Sequence, residues 1–186
     1  MPTLLIVDDH AAVRAGLAAL IGPEPDLRVV ATAADAEAAL ARAEEHRPDV
    51  ALIDFHLPGE DGLELCLRLD GVAPRPRRVL YSAFADERLA VLAIVAGVQR
   101  VAMTPSPAAM TTVSAALEPA DLPVLGMLIH GTPPAEVADT LAMSPDWLLA
   151  RRWAILQRLS PRRARRGTLA TDAPLLLARQ HRSPGG

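Results

Sequence analysis

The strongest constraint on the fold is an alternation that fills the first two-thirds of the chain, in which short aliphatic runs are separated by segments of helical periodicity. This alternation is typical of βα units wound around a parallel sheet. We therefore predict an α/β fold with five parallel strands in a doubly wound arrangement. The predicted strands are the runs Leu4–Val7, Leu27–Val30, Val50–Ile53, Arg78–Tyr81 and Arg100–Met103.

A second, all-helical domain is predicted after the last strand run. The strand pattern ends near Glu118, and three helical segments follow. The third of these has a clear start, with Ser144 as the N-cap and Pro145 as the first helical residue. Two short helices joined by a tight connection indicate a helix-turn-helix. We predict an α/β domain over residues 1–117, a helix-turn-helix domain over 118–160 and a basic, disordered tail over 161–186.

Charge is distributed unevenly along the chain. The net charge is -3, yet residues 151–186 contain nine arginines and a single acid, Asp172, so the preceding part is strongly acidic. A basic end of this kind favours a polyanionic partner. The longest apolar run, Leu89–Val98, is far shorter than the about 20 residues of a membrane span. We expect no membrane association and a cytoplasmic protein, with Cys66 as a buried, inert thiol.

Acidic and hydroxyl side chains follow three of the predicted strands. Asp8 and Asp9 end the first strand, Asp54 ends the third and Ser82 follows the fourth. Ligands of open parallel sheets bind at the carboxyl ends of the strands. Any one of these aspartates alone is more often a helix cap or a turn residue. Together they would repel one another without a cation, and oxygen ligands favour Mg²⁺, so the set predicts a weak magnesium site.

The same segments resemble the response regulator receiver domains of two-component signalling. Leu4–His10 is similar to the opening strand of that family, Asp54–Gly62 to its acceptor loop, and Ser82-Ala83 to its switch position. The resemblance implies a flavodoxin-like fold and a phosphoryl group accepted from a histidine kinase or a small phosphodonor. It further implies these roles: Asp54 as phospho-acceptor, Ser82 as switch hydroxyl, and Asp8, Asp9, Asp54 and the Phe55 carbonyl as Mg²⁺ ligands.

The chain departs from this family at two positions, one of which is the aromatic switch position, where it has the aliphatic Val101. Receivers carry a lysine at the end of the fifth strand, where this chain has Thr104, and it contains no lysine at all. A charge-assisted hydrogen bond contributes about 1.5–3 kcal/mol, and allosteric coupling is typically about 1–3 kcal/mol. The substitution predicts an atypical receiver, and we hypothesise that its output does not depend on phosphorylation.

The C-terminal segment contains the motifs Glu118-Pro119, Glu136-Val137-Ala138 and Met143-Ser144-Pro145. Through these motifs, residues 117–159 resemble the LuxR-type output domain of NarL-like response regulators. The resemblance implies a transcription regulator that binds DNA as a homodimer and places its third helix in the major groove. Leu149 and Ala150 stand where the family has polar residues, and Arg152 replaces an apolar one. The remaining candidate DNA contacts are Arg151, Gln157, Arg158, Arg162 and Arg163.

Two other functions fit parts of the pattern. A protein-interaction module that no longer binds DNA would use the receiver surface together with Trp147 and Trp153. A phosphatase-like enzyme would share the acidic cluster, but the sequence offers no evident substrate pocket or general base. We therefore favour a transcriptional response regulator that is not an enzyme, and keep the interaction module as the alternative.

Overall fold

The sheet that holds the predicted acidic cluster is parallel, as the sequence predicts. The computed structural model describes residues 1–82, 87–98 and 112–159. Within these residues one sheet has the strand order β2-β1-β3-β4. The fifth predicted strand, Arg100–Met103, lies outside the described residues. The strands are β1 (Thr3–Val7), β2 (Arg28–Ala33), β3 (Val50–Asp54) and β4 (Arg77–Tyr81).

Helices connect the strands, as parallel crossovers require. Where the structure describes the helix start, two of them begin with an aspartate cap. The Asp35 carboxylate accepts a hydrogen bond from the Ala38 N–H, and Asp61 forms a reciprocal capping box with Glu64. Each cap satisfies backbone donors that the first helical turn leaves unpaired. The helices are α1 (Ala11–Ile21), α2 (Ala36–His46), α3 (Gly62–Arg68) and α4 (Glu87–Val95).

Strand order brings the predicted acids to one edge of the sheet. β1 lies between β2 and β3, and β4 pairs with the other side of β3. The register places Val7 opposite Ile53 and Asp54 opposite Tyr81. Because the strands are parallel, the residues that follow β1, β3 and β4 meet at the same edge.

Residues 119–159 form three further helices, in agreement with the helical pattern of the sequence. They are α5 (Leu122–Ile129), α6 (Pro134–Thr140) and α7 (Pro145–Leu159), preceded by a 3₁₀ turn over Pro119–Asp121. The predicted start of α7 is confirmed, because Pro145 is its first residue and the Ser144 hydroxyl accepts a hydrogen bond from the Trp147 N–H at 3.1 Å.

The C-terminal helices pack on α3 and α4 and share one hydrophobic core with the sheet region. α7 contacts both α3 and α4, and α5 contacts α4. A single cluster joins apolar side chains of the two regions. Among the described residues, no helix has the length and apolar character to cross a membrane. The core side chains contributed by the C-terminal helices include Val124, Leu125, Leu128, Val137, Leu148, Ile155, Leu156 and Leu159.

Candidate functional site

The centre of the site is a pair of buried carboxylates at the carboxyl ends of the two central strands. Asp8, directly after β1, is 2% exposed, and Asp54, the last residue of β3, is 9% exposed. Burial raises the pKa of Asp54, a hydrogen bond from the His56 N–H opposes that shift, and the charges of Asp8 and Asp9 raise the pKa further. Loss of hydration and like charge both disfavour an ionised carboxylate. A bound cation would relieve this cost.

Each oxygen of the Asp8 carboxylate accepts a hydrogen bond from the protein. The His10 N–H donates to Oδ1 at 2.7 Å, and the Tyr81 hydroxyl donates to Oδ2. His10 Nδ1 also lies 2.6 Å from an oxygen of Asp9. In the described part of the chain, one group of possible metal ligands has its atoms within 4.8 Å of one another: Asp8, Asp9 and His10. This group adds His10 to the predicted ligands and does not include Asp54.

The loop after β3 folds back onto the strand that carries Asp54. The Gly62 N–H donates to the Phe55 carbonyl at 2.9 Å, which engages one lone pair of the predicted carbonyl ligand. A Cβ atom at residue 62 would lie 2.3 Å from the Asp54 carbonyl oxygen, so only glycine allows this close approach. Ser82 directly follows β4 at the same edge of the sheet. Thr104 lies outside the described residues.

Sequence reasoning missed Tyr81. Its hydroxyl reaches Asp8 from the end of β4, and it lies opposite Asp54 in the strand register. Burial, the hydrogen bond to Asp8 and the nearby carboxylates all raise the pKa of this phenol. The available signal was its position as the last residue of the strand that precedes Ser82, which places it beside β3.

On α7, two predicted DNA contacts are paired with acids of the segment that precedes α5. Arg151 Nε lies 3.0 Å from Asp121 Oδ1, and Arg158 NH1 lies 2.5 Å from Asp121 Oδ2. Arg158 also pairs with Glu118. The Arg151 guanidinium additionally stacks over the Trp147 ring, 4.8 Å from its centroid. Of the other three predicted contacts, Gln157 is exposed, and Arg162 and Arg163 lie outside the described residues.

The Arg152 side chain extends from α7 into the sheet region. It is 2% exposed, its NH1 lies 2.5 Å from Asp70 Oδ2, and its Nε donates to the Val95 carbonyl at 2.7 Å. Asp70 also accepts a hydrogen bond from buried Arg78. Burial would raise the pKa of Asp70, but the two guanidiniums outweigh this effect and hold it below its ordinary value. The buried cluster of Arg78, Asp70 and Arg152 therefore joins α7 to the sheet region.

A parallel sheet with carboxylates gathered at the carboxyl ends of its central strands defines the class of open α/β domains that bind ligands at that edge. Residues 4–112 match the family described as the response regulator receiver domain, so the chain belongs to this family.

The relatives that this chain matches are regulatory proteins by name. One is the DNA-binding transcriptional activator DevR/DosR of Mycobacterium tuberculosis, 39% identical over 97 residues, which are 52% of this chain and 45% of that protein. Another is the oxygen regulatory protein NreC of Staphylococcus epidermidis, 39% identical over 85 residues, which are 45% of this chain and 39% of that protein. The chain therefore spans about half the length, or less, of the curated relatives it matches.

A solved structure extends the likeness into the C-terminal helices. It is a LuxR-family two-component response regulator from an Aurantimonas species, with a TM-score of 0.52 and 26% sequence identity. The match covers 76% of this chain and 99% of the solved one.

Proposed function

We propose that this chain is a DNA-binding transcriptional response regulator whose receiver accepts a phosphoryl group at Asp54. The observation that carries the proposal is the position of Asp54. It is a buried carboxylate at the end of β3, beside Asp8 and Asp9, in a chain that belongs to the receiver family. Under this proposal residues 1–117 form the receiver, 118–160 the helix-turn-helix domain and 161–186 a basic tail.

The chemistry follows from this arrangement. An oxygen of Asp54 forms a bond to phosphorus while the bond from phosphorus to the donor breaks, and the electron pair leaves with the donor, a phosphohistidine of a kinase or a small phosphodonor. The carboxylates of Asp8, Asp9 and Asp54 are oxygen ligands suited to Mg²⁺, which would neutralise phosphoryl charge. Ser82 would donate its hydroxyl to a phosphoryl oxygen from the end of β4.

The receiver is atypical in this proposal because Thr104 stands at the lysine position. The missing contact is comparable in energy to a whole allosteric coupling. Phosphorylation of Asp54 would then change dimerisation or DNA binding little, and abundance or a partner would set the output. Thr104→Lys should restore a response to phosphorylation, measured as the change in DNA affinity after treatment with a phosphodonor.

DNA binding would depend mainly on phosphate contacts. Leu149 and Ala150 supply no hydrogen-bonding side chains for base edges, whereas Arg162 and Arg163 continue the basic character of the helix. A homodimer would add specificity by reading two half-sites. The DNA-binding name of the Mycobacterium tuberculosis relative supports this function.

The alternative function is a protein-interaction module, and the ion pairs of α7 favour it specifically. Arg151 and Arg158 are both paired with Asp121, which is fully buried, so phosphates would have to compete with acids already in place. Trp147 is 46% exposed on the same helix and is suited to a protein contact.

The phosphorylation half of the proposal is tested by intact-mass measurement after incubation with acetyl phosphate and Mg²⁺. Wild type should gain the mass of one phosphoryl group, and Asp54→Asn should gain none. An unmodified wild type, or equal modification of both proteins, would refute Asp54 as the acceptor. Asp35→Asn is the matched control, because that aspartate caps α2 and should not affect the modification.

A further inference from the structure

Tyr81 is the one tyrosine of the chain, and its hydroxyl lies beside Asp8 at the acidic edge of the sheet. The phenol donates to Oδ2 of Asp8, while the His10 N–H donates to Oδ1 at 2.7 Å. The Asp8 side chain is therefore held from both oxygens, at a position that is 2% exposed. A buried carboxylate held in this way has one orientation, so its remaining lone pairs point in a fixed direction.

The backbone holds the phenol in place. Tyr81 is the last residue of β4 and pairs with Asp54 in the register between β3 and β4. Its carbonyl accepts a hydrogen bond from the Phe55 N–H at 2.9 Å, directly beside the predicted phospho-acceptor. The strand that positions the phenol therefore also contacts the loop that follows Asp54, and because β3 lies between β1 and β4, the side chain reaches Asp8 across the end of β3.

We propose that Tyr81 is a positioning residue for the divalent cation of this site, acting through Asp8. This inference rests on the proposed phospho-acceptor function. Partners that hydrogen-bond a ligating carboxylate orient it, and their loss typically reduces metal affinity by about 10–100-fold. Without the phenol, Oδ2 of Asp8 would lose its donor and the side chain would gain rotational freedom. The tyrosine thus contributes to cation binding without contacting the cation.

The test compares Mg²⁺ affinity of wild type and Tyr81→Phe by calorimetric titration of the full chain. We expect the dissociation constant to rise about 10–100-fold in the variant. Thr3→Val is the matched control, since it removes another hydroxyl-to-aspartate bond, from Thr3 Oγ1 to Asp49 at 2.8 Å, at the opposite end of the sheet. This control should stay within about twofold of wild type, because distant sites act independently.

Two further readouts separate positioning from a merely structural role. The rate of Asp54 phosphorylation by acetyl phosphate should need more Mg²⁺ in Tyr81→Phe, yet reach the wild-type rate at saturating Mg²⁺. In wild type labelled with fluorotyrosine, the single ¹⁹F resonance reports Tyr81 alone and should shift on Mg²⁺ addition. This second readout does not depend on whether the variant folds.

The outcomes distinguish this inference from the proposed function. Equal Mg²⁺ affinity of wild type and a folded Tyr81→Phe overturns the role of Tyr81 and leaves the metal site intact. An unmoved ¹⁹F resonance at saturating Mg²⁺ does the same. Absence of Mg²⁺ binding in wild type removes the metal site together with this inference. Failure of Asp54 to accept a phosphoryl group, with Mg²⁺ affinity still dependent on Tyr81, refutes only the proposed function.

Discussion

Replacing Asp70 with asparagine tests how strongly the buried ion pairs that join α7 to the sheet region stabilise the fold. The Asp70 carboxylate is the shared partner of two buried arginines, Arg78 and Arg152, whose side chains are 6% and 2% exposed. Asp70→Asn keeps the shape of the side chain but removes its negative charge. Among the described residues, Asp70 is the one acid that forms an ion pair with both guanidiniums. Two buried cations would then face each other without a counterion.

The expected loss is large. Removing one partner of a buried ion pair costs about 3–5 kcal/mol, because the remaining charge is left without compensation. Total stability of a domain is only about 5–15 kcal/mol. For a chain of this size each kcal/mol shifts the melting temperature by roughly 2–4 °C, so we expect a decrease of about 6–20 °C.

The size of the effect should also depend on pH. The pKa of Asp70 is held below its ordinary value in the folded state, so the ionised form stabilises the fold above the unfolded-state pKa of about 3.9. This contribution is lost as the pH falls through the folded-state pKa. The difference between wild type and Asp70→Asn should therefore be full at pH 7 and shrink in acid.

Thermal unfolding followed by circular dichroism measures the loss, and urea unfolding gives its free energy. Glu45→Gln is the matched control, because it breaks the exposed pair with Arg42 and should cost no more than about 1 kcal/mol. The double variant Asp70→Asn, Arg152→Met should be more stable than Asp70→Asn alone, because it also removes one unpaired charge. A loss below about 1 kcal/mol for Asp70→Asn would refute the reasoning.

Three further predictions concern the acidic edge of the sheet and the arginines proposed to contact DNA. Asp54→Asn should raise the melting temperature at pH 7 and not near pH 3, because a raised folded-state pKa means that the ionised carboxylate destabilises the fold; an equal shift at both pH values would contradict this. Glu118→Gln should raise the affinity for duplex DNA about two- to fivefold, because an exposed ion pair contributes up to about 1 kcal/mol and its loss frees an arginine. Fluorescence anisotropy measures this affinity, and the control Glu44→Gln on α2 should not change it. Arg162→Ala with Arg163→Ala should weaken all duplexes alike and flatten the log-log salt dependence by about 0.9 per lost phosphate contact; an unchanged slope would remove these residues from the DNA contact.

The sheet and its acidic edge could be predicted because both depend on local pattern. Aliphatic runs followed by Asp8, Asp9 and Asp54 specify strand ends, and parallel pairing brings those ends together. The start of α7 could be predicted for the same reason, because Ser144 and Pro145 affect only the first turn of the helix. The strand at Arg100–Met103 stays a prediction.

Contacts between distant segments could not be predicted in the same way. Arg152 and Asp70 are separated by 82 positions, and helical periodicity places Arg152 on the apolar stripe of α7 without identifying its partner. Tyr81 is 73 positions from Asp8, and its ring was indistinguishable in sequence from an ordinary strand aromatic. Arg151 and Arg158 carried the right charge for DNA, but their pairing with Asp121 depends on how α7 packs against the turn before α5.

We propose above all that this receiver-family chain binds DNA with an affinity that phosphorylation of Asp54 changes little. The direct measurement is fluorescence anisotropy of a labelled duplex at low salt with the full chain, wild type and Asp54→Asn, before and after acetyl phosphate. We expect both proteins to bind, and wild type to change by less than about tenfold, near 1.4 kcal/mol, on phosphorylation. No binding of any duplex at low salt would contradict the DNA-binding function and favour the interaction module. A larger change in wild type that Asp54→Asn lacks would contradict phosphorylation-independent output.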